Sequence, residues 1–227
     1  MMRNSMEETA LTLSTAAQDY LKAIYQLRGA VPVTTQALAY RLDVAPPSAT
    51  SMVKKLAALN LVRHAPYRGV ELTPAGEKIA LEMVRHHRLI ETYLAEVLGV
   101  SWDKVHDEAE RWEHVLSEEV EAKMAAALGN PSHDPHGSPI PTLEGEIAPD
   151  DWTALAKMPA GAKVTVRRVE DESAELLRHL RDLELVPGAK VEVLRAVPAE
   201  GVVQLSVNGK SRTLGLAPAA EVFVEEM

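Results

Sequence analysis

The sequence contains no cysteine, has few aromatic residues and has no long apolar run. The absence of cysteine excludes disulfide bonds, thiolate-bound zinc and a cysteine nucleophile. Aromatic residues make up only 4%, with a single Phe, so the cores must be built from Leu, Val, Ala and Met. No apolar segment approaches the roughly 18 residues of a membrane span, and the start, MMRNSMEETALTL, lacks the basic-then-apolar order of a signal peptide. A cytoplasmic location is therefore expected.

Charge is distributed unevenly along the 227 residues, a length that fits two or three small domains. The net charge of −9 argues against a generic nucleic-acid binder. By segment, however, residues 1–82 carry +2, residues 83–130 carry −5 and residues 131–227 carry −6. Within 35–70, five basic residues stand against a single acidic one. Positive potential is thus local to the N-terminal part, and carboxylates are concentrated in the middle segment.

The N-terminal part has the element order of a winged helix-turn-helix. Apolar spacing predicts helices over 14–28, 34–42 and 47–59, followed by a β-hairpin over 61–73. In the third helix, small polar side chains suit the approach to base edges, and cations one turn on suit the phosphates. A three-helix bundle with an exposed polar helix is the alternative. The candidate DNA contacts are Thr35, Pro47, Ser48, Thr50, Ser51, Lys54, Lys55 and Arg68.

The acidic middle segment spaces histidines and carboxylates along predicted helices. A long helix begins at Thr73–Pro74, Ser101 is expected to cap a helix over 102–115, and Ser117 is expected to cap the next. Nitrogen and oxygen ligands without sulfur suit Mn(II), Fe(II), Co(II) or Zn(II), and the carboxylate excess favours harder ions such as Mn(II). A solvated acidic helix face is the alternative. The residues on shared faces are His87 and Glu91 on one helix, and His106, Glu110, Glu113 and His114 on the next.

Residues 129–142 contain four prolines and two glycines, which predicts a linker or boundary loop rather than a helix. Its two histidines, His133 and His136, are expected to be exposed to solvent. From about residue 160 the pattern changes to short β-prone runs with one helix over 174–183. This composition predicts a small C-terminal β-barrel.

Three segments resemble the diphtheria-toxin-repressor family of metal-dependent transcriptional regulators: MVRHHRLIETYL (83–94), KVHDEAERWEHVLSEEVE (104–121) and DPHGSPIP (134–141). The resemblance covers the whole chain and includes a C-terminal FeoA-like domain, similar to ferrous-iron-transport accessory proteins. It implies a mainly α fold with a small β part. The implied domains are an N-terminal winged helix-turn-helix (1–82), a helical metal-binding and dimerisation domain (83–145), and a C-terminal small Src-homology-like β-barrel (155–227).

The resemblance also implies two metal sites. The regulatory site falls on Asp19, Glu110, Glu113 and His114, and the ancillary site falls on His87, Glu91 and His106. In the family the third domain can add oxygen ligands to the ancillary metal, and the candidates here are Glu170, Asp171 and Glu172.

Departures from the family pattern bear on the metal. Iron-sensing members place Met and Cys where this chain has Asp19 and Glu110, whereas the manganese-sensing branch uses carboxylates. Hard oxygen in place of soft sulfur favours Mn(II), so Mn(II) is the expected cofactor and Fe(II) the alternative; Co(II), Zn(II) or Cd(II) are expected to substitute in vitro. A second carboxylate of the short manganese sensors falls on Lys22, which favours two separated sites over a binuclear cluster.

The function that follows is a homodimeric repressor of metal-uptake genes, in which metal binding fixes the winged helices for a palindromic operator. The expected partners are therefore double-stranded DNA and a second copy of the chain. One rival is a metallohydrolase, although the motif H-E-x-x-H is absent. Another is a winged-helix regulator gated by an organic ligand, and a third is a dimerising scaffold, which leaves the basic cluster without a role.

Overall fold

The computed structural model describes residues 13–29, 31–65, 69–170, 173–197 and 200–227. The chain forms two compact units. The first comprises residues 1–86 with 141–146, and the second comprises residues 87–140 with 147–227. None of the described helices combines the length and apolarity that crossing a bilayer requires.

The first unit has the predicted element order. Its elements are α1 (Thr15–Leu27), α2 (Thr35–Arg41), α3 (Pro46–Ala58), β1 (Val62–Ala65), β2 (Gly69–Leu72) and the first half of α4 (Pro74–Glu96). Ser14 and Thr34 cap α1 and α2 by accepting hydrogen bonds from backbone N–H groups three residues on. β1 and β2 pair antiparallel. The predicted winged helix-turn-helix is confirmed.

One apolar core holds the first unit together. Leu21 and Ile24 of α1, Leu38 of α2, and Val53 and Leu56 of α3 are almost completely buried in it. Because Ala49, Val53 and Leu56 recur at four- and three-residue intervals, α3 buries one face and leaves the other to solvent, whereas α1 is buried over most of its surface. The opposite face of α3 is thereby held at the surface.

The second unit begins with the second half of α4 and continues through two short helices, α5 (Val105–Trp112) and α6 (Glu118–Ala127). Ser117 caps α6 as predicted. Ser101 does not cap α5, which begins later than expected: Lys104 occupies its N-cap position without a side-chain bond. The Ser101 hydroxyl instead donates to the carboxylate of Asp103.

The remainder of the second unit is an antiparallel sheet with its own core. The elements are β3 (Thr153–Ala154), a 3₁₀ turn (Leu155–Lys157), β4 (Lys163–Val169), α7 (Ala174–Asp182), β5 (Lys190–Val197), β6 (Val202–Val207), β7 (Lys210–Gly215), α8 (Leu216–Ala220) and β8 (Val222–Glu226). The strand order is β3-β8-β4-β5-β6-β7.

This sheet confirms the predicted mainly helical fold with a C-terminal β domain, and no closed barrel is detected among the residues that the structure describes. Among the described residues, β3 and β7 pair on one side only. Register shifts at Val166/Arg168 and Val193/Arg195 interrupt the β4–β8 and β5–β6 pairings. Bulges of this kind increase the twist of a sheet without closing it.

Candidate metal centre and DNA-binding surface

Helix α3 presents a polar face to solvent. Ala49, Val53 and Leu56 are buried, whereas five predicted contacts are exposed: Pro47, Ser48, Ser51, Lys54 and Lys55. The Thr50 hydroxyl donates to the Pro46 carbonyl at 3.0 Å, so this side chain is turned back onto its own helix. Thr35, at the start of α2, is half-buried, and Arg68 lies outside the described residues.

Helix α4 carries the centre of the histidine and carboxylate network. His87 Nε2 lies 3.1 Å from Glu91 Oε1 and 3.1 Å from Nδ1 of His106 on α5. His106 Nδ1 also lies 3.3 Å from Glu91 Oε1. The three residues of the predicted ancillary site are therefore in direct contact.

The predicted regulatory residues of the second unit adjoin this network. His87 Nδ1 lies 2.5 Å from Glu113 Oε2. Glu110 Oε1 lies 3.7 Å from His87 Nδ1 and 3.8 Å from His106 Nε2. His87, His106 and Glu110 each place one nitrogen or oxygen atom within 4.8 Å of the other two. We call these three residues the histidine cluster. Glu110 is thus grouped with the ancillary residues rather than with Glu113 and His114. The latter two lie just past the end of α5, where Glu113 forms the C-cap.

Glu91 is a completely buried carboxylate. Burial alone would raise its pKa, but the charge of His87 and hydrogen bonds from His106 and His87 offset that effect, so the pKa of Glu91 lies well below its usual range. Its second oxygen, Oε2, is buried without a hydrogen-bond partner among the described residues. A buried anionic oxygen in this position is costly unless a cation or donor occupies the adjacent space.

The expectation that His136 is a solvent-exposed linker histidine is wrong. His136 is fully buried, as is most of the turn around it, whereas His133 is exposed as expected. The turn is held by Asp134, whose Oδ1 accepts hydrogen bonds from the backbone N–H groups of His136 and Ser138. The spacing Asp-Pro-His-Gly-Ser is typical of an Asx turn, and this signal could have located the ordered loop.

Hydrogen bonds orient both the backbone and the ring of His136. Its Nε2 lies 2.8 Å from the Trp102 carbonyl oxygen. A carbonyl only accepts, so Nε2 carries the proton and, in the neutral ring, Nδ1 holds the lone pair. Nδ1 lies 4.0 Å from Glu91 Oε1. Glu91, Asp134 and His136 each place one potential metal-ligand atom within 4.8 Å of the other two. We call these three residues the loop cluster. Sequence reasoning missed Asp134 and His136 as members of such a cluster.

The remaining predicted ligands are placed as follows. Asp19 is half-buried on α1 in the first unit. Glu170 follows β4, and its Oε1 accepts a hydrogen bond from Arg168 at 2.7 Å. Asp171 and Glu172 lie outside the described residues.

Gly137 fixes the loop that carries His136, which gives a stability prediction. Its φ is +90°, and an added Cβ would lie 1.9 Å from the Arg167 carbonyl oxygen. Gly188 has nearly the same φ, +89°, but open space around its Cα. We expect Gly188→Ala to lower the free energy of unfolding by about 1 kcal/mol and Gly137→Ala by about 3 kcal/mol or more. Denaturant unfolding of both variants measures this, and equal losses would show that the close approach at Gly137 is absent.

Three family models match consecutive parts of the chain. Residues 12–70 match the N-terminal DNA-binding domain of the iron-dependent repressors, and residues 73–142 match their metal-binding and dimerisation domain. Residues 153–226 match the FeoA domain. The chain belongs to the iron-dependent repressor family. The resemblance inferred from the three segments is therefore confirmed.

Relatives in this repressor family align over nearly their whole length. The iron-dependent repressor IdeR of Mycobacterium tuberculosis is 36% identical over 222 residues, which cover 92% of this chain and 96% of IdeR. The diphtheria toxin repressor of Corynebacterium glutamicum is 34% identical, with 92% and 95% covered.

Solved structures of the repressor family agree with the fold. A manganese-dependent transcriptional repressor in complex with manganese has a TM-score of 0.87 at 36% identity, covering 93% of this chain and all of that one. The regulator ScaR with bound Zn²⁺ has a TM-score of 0.79 at 31% identity, covering 93% and 99%. The chain is thus a metal-dependent transcriptional repressor. Because the proteins that the chain matches are repressors, the metallohydrolase alternative is set aside.

Proposed function

We propose that the chain is a Mn(II)-dependent homodimeric repressor that binds a palindromic operator and controls metal-uptake genes. The observation that carries this proposal is the buried network in which Glu91 links the histidine cluster to the loop cluster. A regulator of this kind acts where the chromosome is, so a cytoplasmic location is part of the proposal.

The residues present fit a divalent cation. Glu91 Oε2 is buried without a hydrogen-bond partner among the described residues, and His136 is held with Nδ1 toward Glu91. A carbonyl that fixes the tautomer of a histidine is a common way to orient a metal ligand. We therefore propose that the ancillary ligands His87, Glu91 and His106 are supplemented by Asp134 and His136, which the sequence analysis did not include.

The donor types favour Mn(II) over softer ions. All proposed ligands offer imidazole nitrogen or carboxylate oxygen, and the chain has no cysteine to supply sulfur. The similar repressor in complex with manganese is consistent with this choice, whereas the names of the IdeR relatives support Fe(II) as the second candidate. Co(II), Zn(II) and Cd(II) are expected to bind in vitro, because the intrinsic affinity of a nitrogen–oxygen site is generally higher for later divalent ions than for Mn(II), and selectivity depends on geometry and metal availability.

The regulatory step is proposed to involve Asp19 together with Glu110, Glu113 and His114. Asp19 is on the first helix of the DNA-binding unit, and the other three residues belong to the second unit. Three carboxylates at one site repel one another, and a bound divalent ion supplies the positive charge that offsets this repulsion. If Asp19 binds the metal at that site, the movement of the DNA-binding unit would be restricted. The resulting change in operator affinity is limited by how much more tightly the metal binds the state that binds DNA than the state that does not.

The proposed dimer uses apolar surface on and beside α5 and α6. Trp112, Val115 and Val120 are exposed by 39%, 82% and 44%, although they lie in the segment matched to the dimerisation domain. We propose that these exposed apolar side chains, which lie within one short segment, are covered in the dimer. Dimerisation would pair two recognition helices with two operator half-sites.

The DNA-binding face gives a prediction for Lys54. Its ammonium group is exposed one turn beyond Ser51, where a phosphate contact is expected. Lys54→Ala should weaken binding to all sequences about equally and reduce the slope of log affinity against log salt by about one unit. Fluorescence anisotropy at several salt concentrations measures both quantities. Lys157→Ala, which removes an exposed lysine of the C-terminal domain, is the control; a sequence-selective loss in Lys54→Ala would mean that Lys54 reads a base.

Metal binding to the purified chain is the direct test of this proposal. Free Mn(II) is followed by electron paramagnetic resonance while the chain is titrated in. We expect saturable binding of more than one ion per chain, and a loss of sites when His136 is changed to Ala. No saturable binding would contradict the metal-dependent function, whereas unchanged binding in His136→Ala would remove the loop cluster and leave the rest of the proposal in place.

A further inference from the structure

The segment between α4 and α5 is fixed to the C-terminal sheet domain. Asp103 is only 5% exposed and accepts hydrogen bonds from Arg181 at 3.0 Å and from Arg178 at 3.3 Å, both on α7. Arg181 also donates to the Ser101 hydroxyl at 3.0 Å. The hydrogen bond from Ser101, together with the two guanidinium groups, lowers the pKa of Asp103 below its usual range. Asp103 is therefore an anion held by two cations of another domain.

The neighbouring residue, Trp102, extends this connection to the loop cluster. Its side chain packs against the apolar core of the C-terminal sheet. Its ring stacks on the His136 ring at a centroid distance of 5.4 Å, and its carbonyl oxygen accepts the hydrogen bond from His136 Nε2. The Val169 N–H of β4 donates to the His136 carbonyl at 2.9 Å, so the C-terminal domain also holds the backbone of this histidine.

We propose that Trp102 and Asp103, held by Arg178 and Arg181, form a positioning element through which the C-terminal domain sets the orientation and tautomer of His136. This inference rests on the proposed role of His136 as a metal ligand. The four residues supply no ligand atoms themselves. The segment directly precedes α5, which carries His106 and Glu110, so the C-terminal domain constrains both clusters through one short stretch of backbone.

A purely structural contact and a positioning element differ in what they change. Loss of a structural ion pair with two half-exposed arginines lowers stability slightly, because solvent screens such pairs. Loss of a positioning element leaves the ligands present but misoriented, which commonly lowers metal affinity by about 10- to 100-fold. Loss of a positioning element also changes which ring nitrogen of His136 carries the proton before any metal is added.

The experiment compares the full chain with the double variant Arg178→Gln/Arg181→Gln. Mn(II) affinity is measured by electron paramagnetic resonance, and the His136 tautomer is read from ¹⁵N-histidine nuclear magnetic resonance in chelator. We expect Mn(II) affinity to fall roughly tenfold and the Nε2–H signature of His136 to be lost or mixed. Arg178→Lys/Arg181→Lys retains both charges and should restore most of the affinity.

The matched control is Arg167→Gln/Arg195→Gln, which removes two arginine charges from strands of the same domain. Arg167 pairs with Glu225 on the surface, and Arg195 is exposed. This control should leave both readouts unchanged. Unchanged affinity and tautomer in Arg178→Gln/Arg181→Gln, while His136→Ala loses a metal site, would overturn the positioning role alone. Unchanged metal binding in His136→Ala would overturn the positioning role together with the loop cluster.

Discussion

Replacing Glu91 with glutamine is expected to lower Mn(II) affinity at the buried network by about a hundredfold, which corresponds to about 2.7 kcal/mol. Glu91 is the one carboxylate that both faces His87 and His106 and lies near His136 among the described residues. Glutamine keeps the shape of the side chain but removes the negative charge and half of the acceptor capacity. Isothermal titration with Mn(II) gives the affinity and the number of sites.

The control for Glu91→Gln is Glu96→Gln, which makes the same change on an exposed residue of the same helix. Glu96→Gln should bind Mn(II) like the unmodified chain. Circular dichroism in chelator establishes that both variants keep their helices. If Glu91→Gln folds normally and binds Mn(II) with unchanged affinity and stoichiometry, Glu91 is not a ligand and the buried network is a structural one.

Asp19→Asn is expected to abolish the metal-dependent increase in DNA affinity while leaving the clusters of the second unit able to bind metal. The proposed regulatory ligand set then loses the only member contributed by the DNA-binding unit. Because coupling between metal and DNA arises only from differential affinity, its loss should remove about 2.7 kcal/mol, or about a hundredfold in DNA affinity at saturating Mn(II). Fluorescence anisotropy with a labelled duplex measures this loss.

Asp182→Asn is the matched control, since Asp182 is an exposed aspartate at the end of α7. It should respond to Mn(II) like the unmodified chain. Sedimentation of Asp19→Asn should give the same oligomeric state as the unmodified chain. A normal response to Mn(II) in Asp19→Asn would remove Asp19 from the regulatory site and require another link between metal and DNA binding.

The helical part of the fold follows from local signals in the sequence. Helices α1, α2 and α6 begin within one residue of their predicted starts because apolar periodicity and short-range capping agree there, whereas α3 begins at Pro46 without a side-chain cap. The predicted start of α5 was wrong because the Ser101 hydroxyl bonds to Asp103 instead of capping the helix. The position of Asp103 depends in turn on Arg181 of α7, far along the chain. Strand β7, KSRTLG, lacks a clear apolar alternation and is defined by its pairing with β6.

The candidate site divides in the same way. His87, Glu91, His106 and Glu110 follow from helical spacing, since residues four apart share a face. Their contacts across helices, and the grouping of Glu110 with the histidines, depend on tertiary packing. His136 was misjudged because proline and glycine indicate a loop but do not show whether it is buried. Its burial results from the Asp134 turn, the stacking of Trp102 and the bond from Val169.

DNA binding as a function of metal is the measurement that tests the central claim most directly. The probe is a labelled duplex, selected from a random library in the presence of Mn(II), and its anisotropy is followed in chelator and across titrations of Mn(II), Fe(II), Co(II) and Zn(II). The account predicts tight binding only with metal, with Mn(II) acting at the lowest concentration among the ions that are available to a cell. Equal binding in chelator and in Mn(II) would contradict it, leaving a winged-helix protein whose DNA affinity does not depend on the buried histidine and carboxylate network.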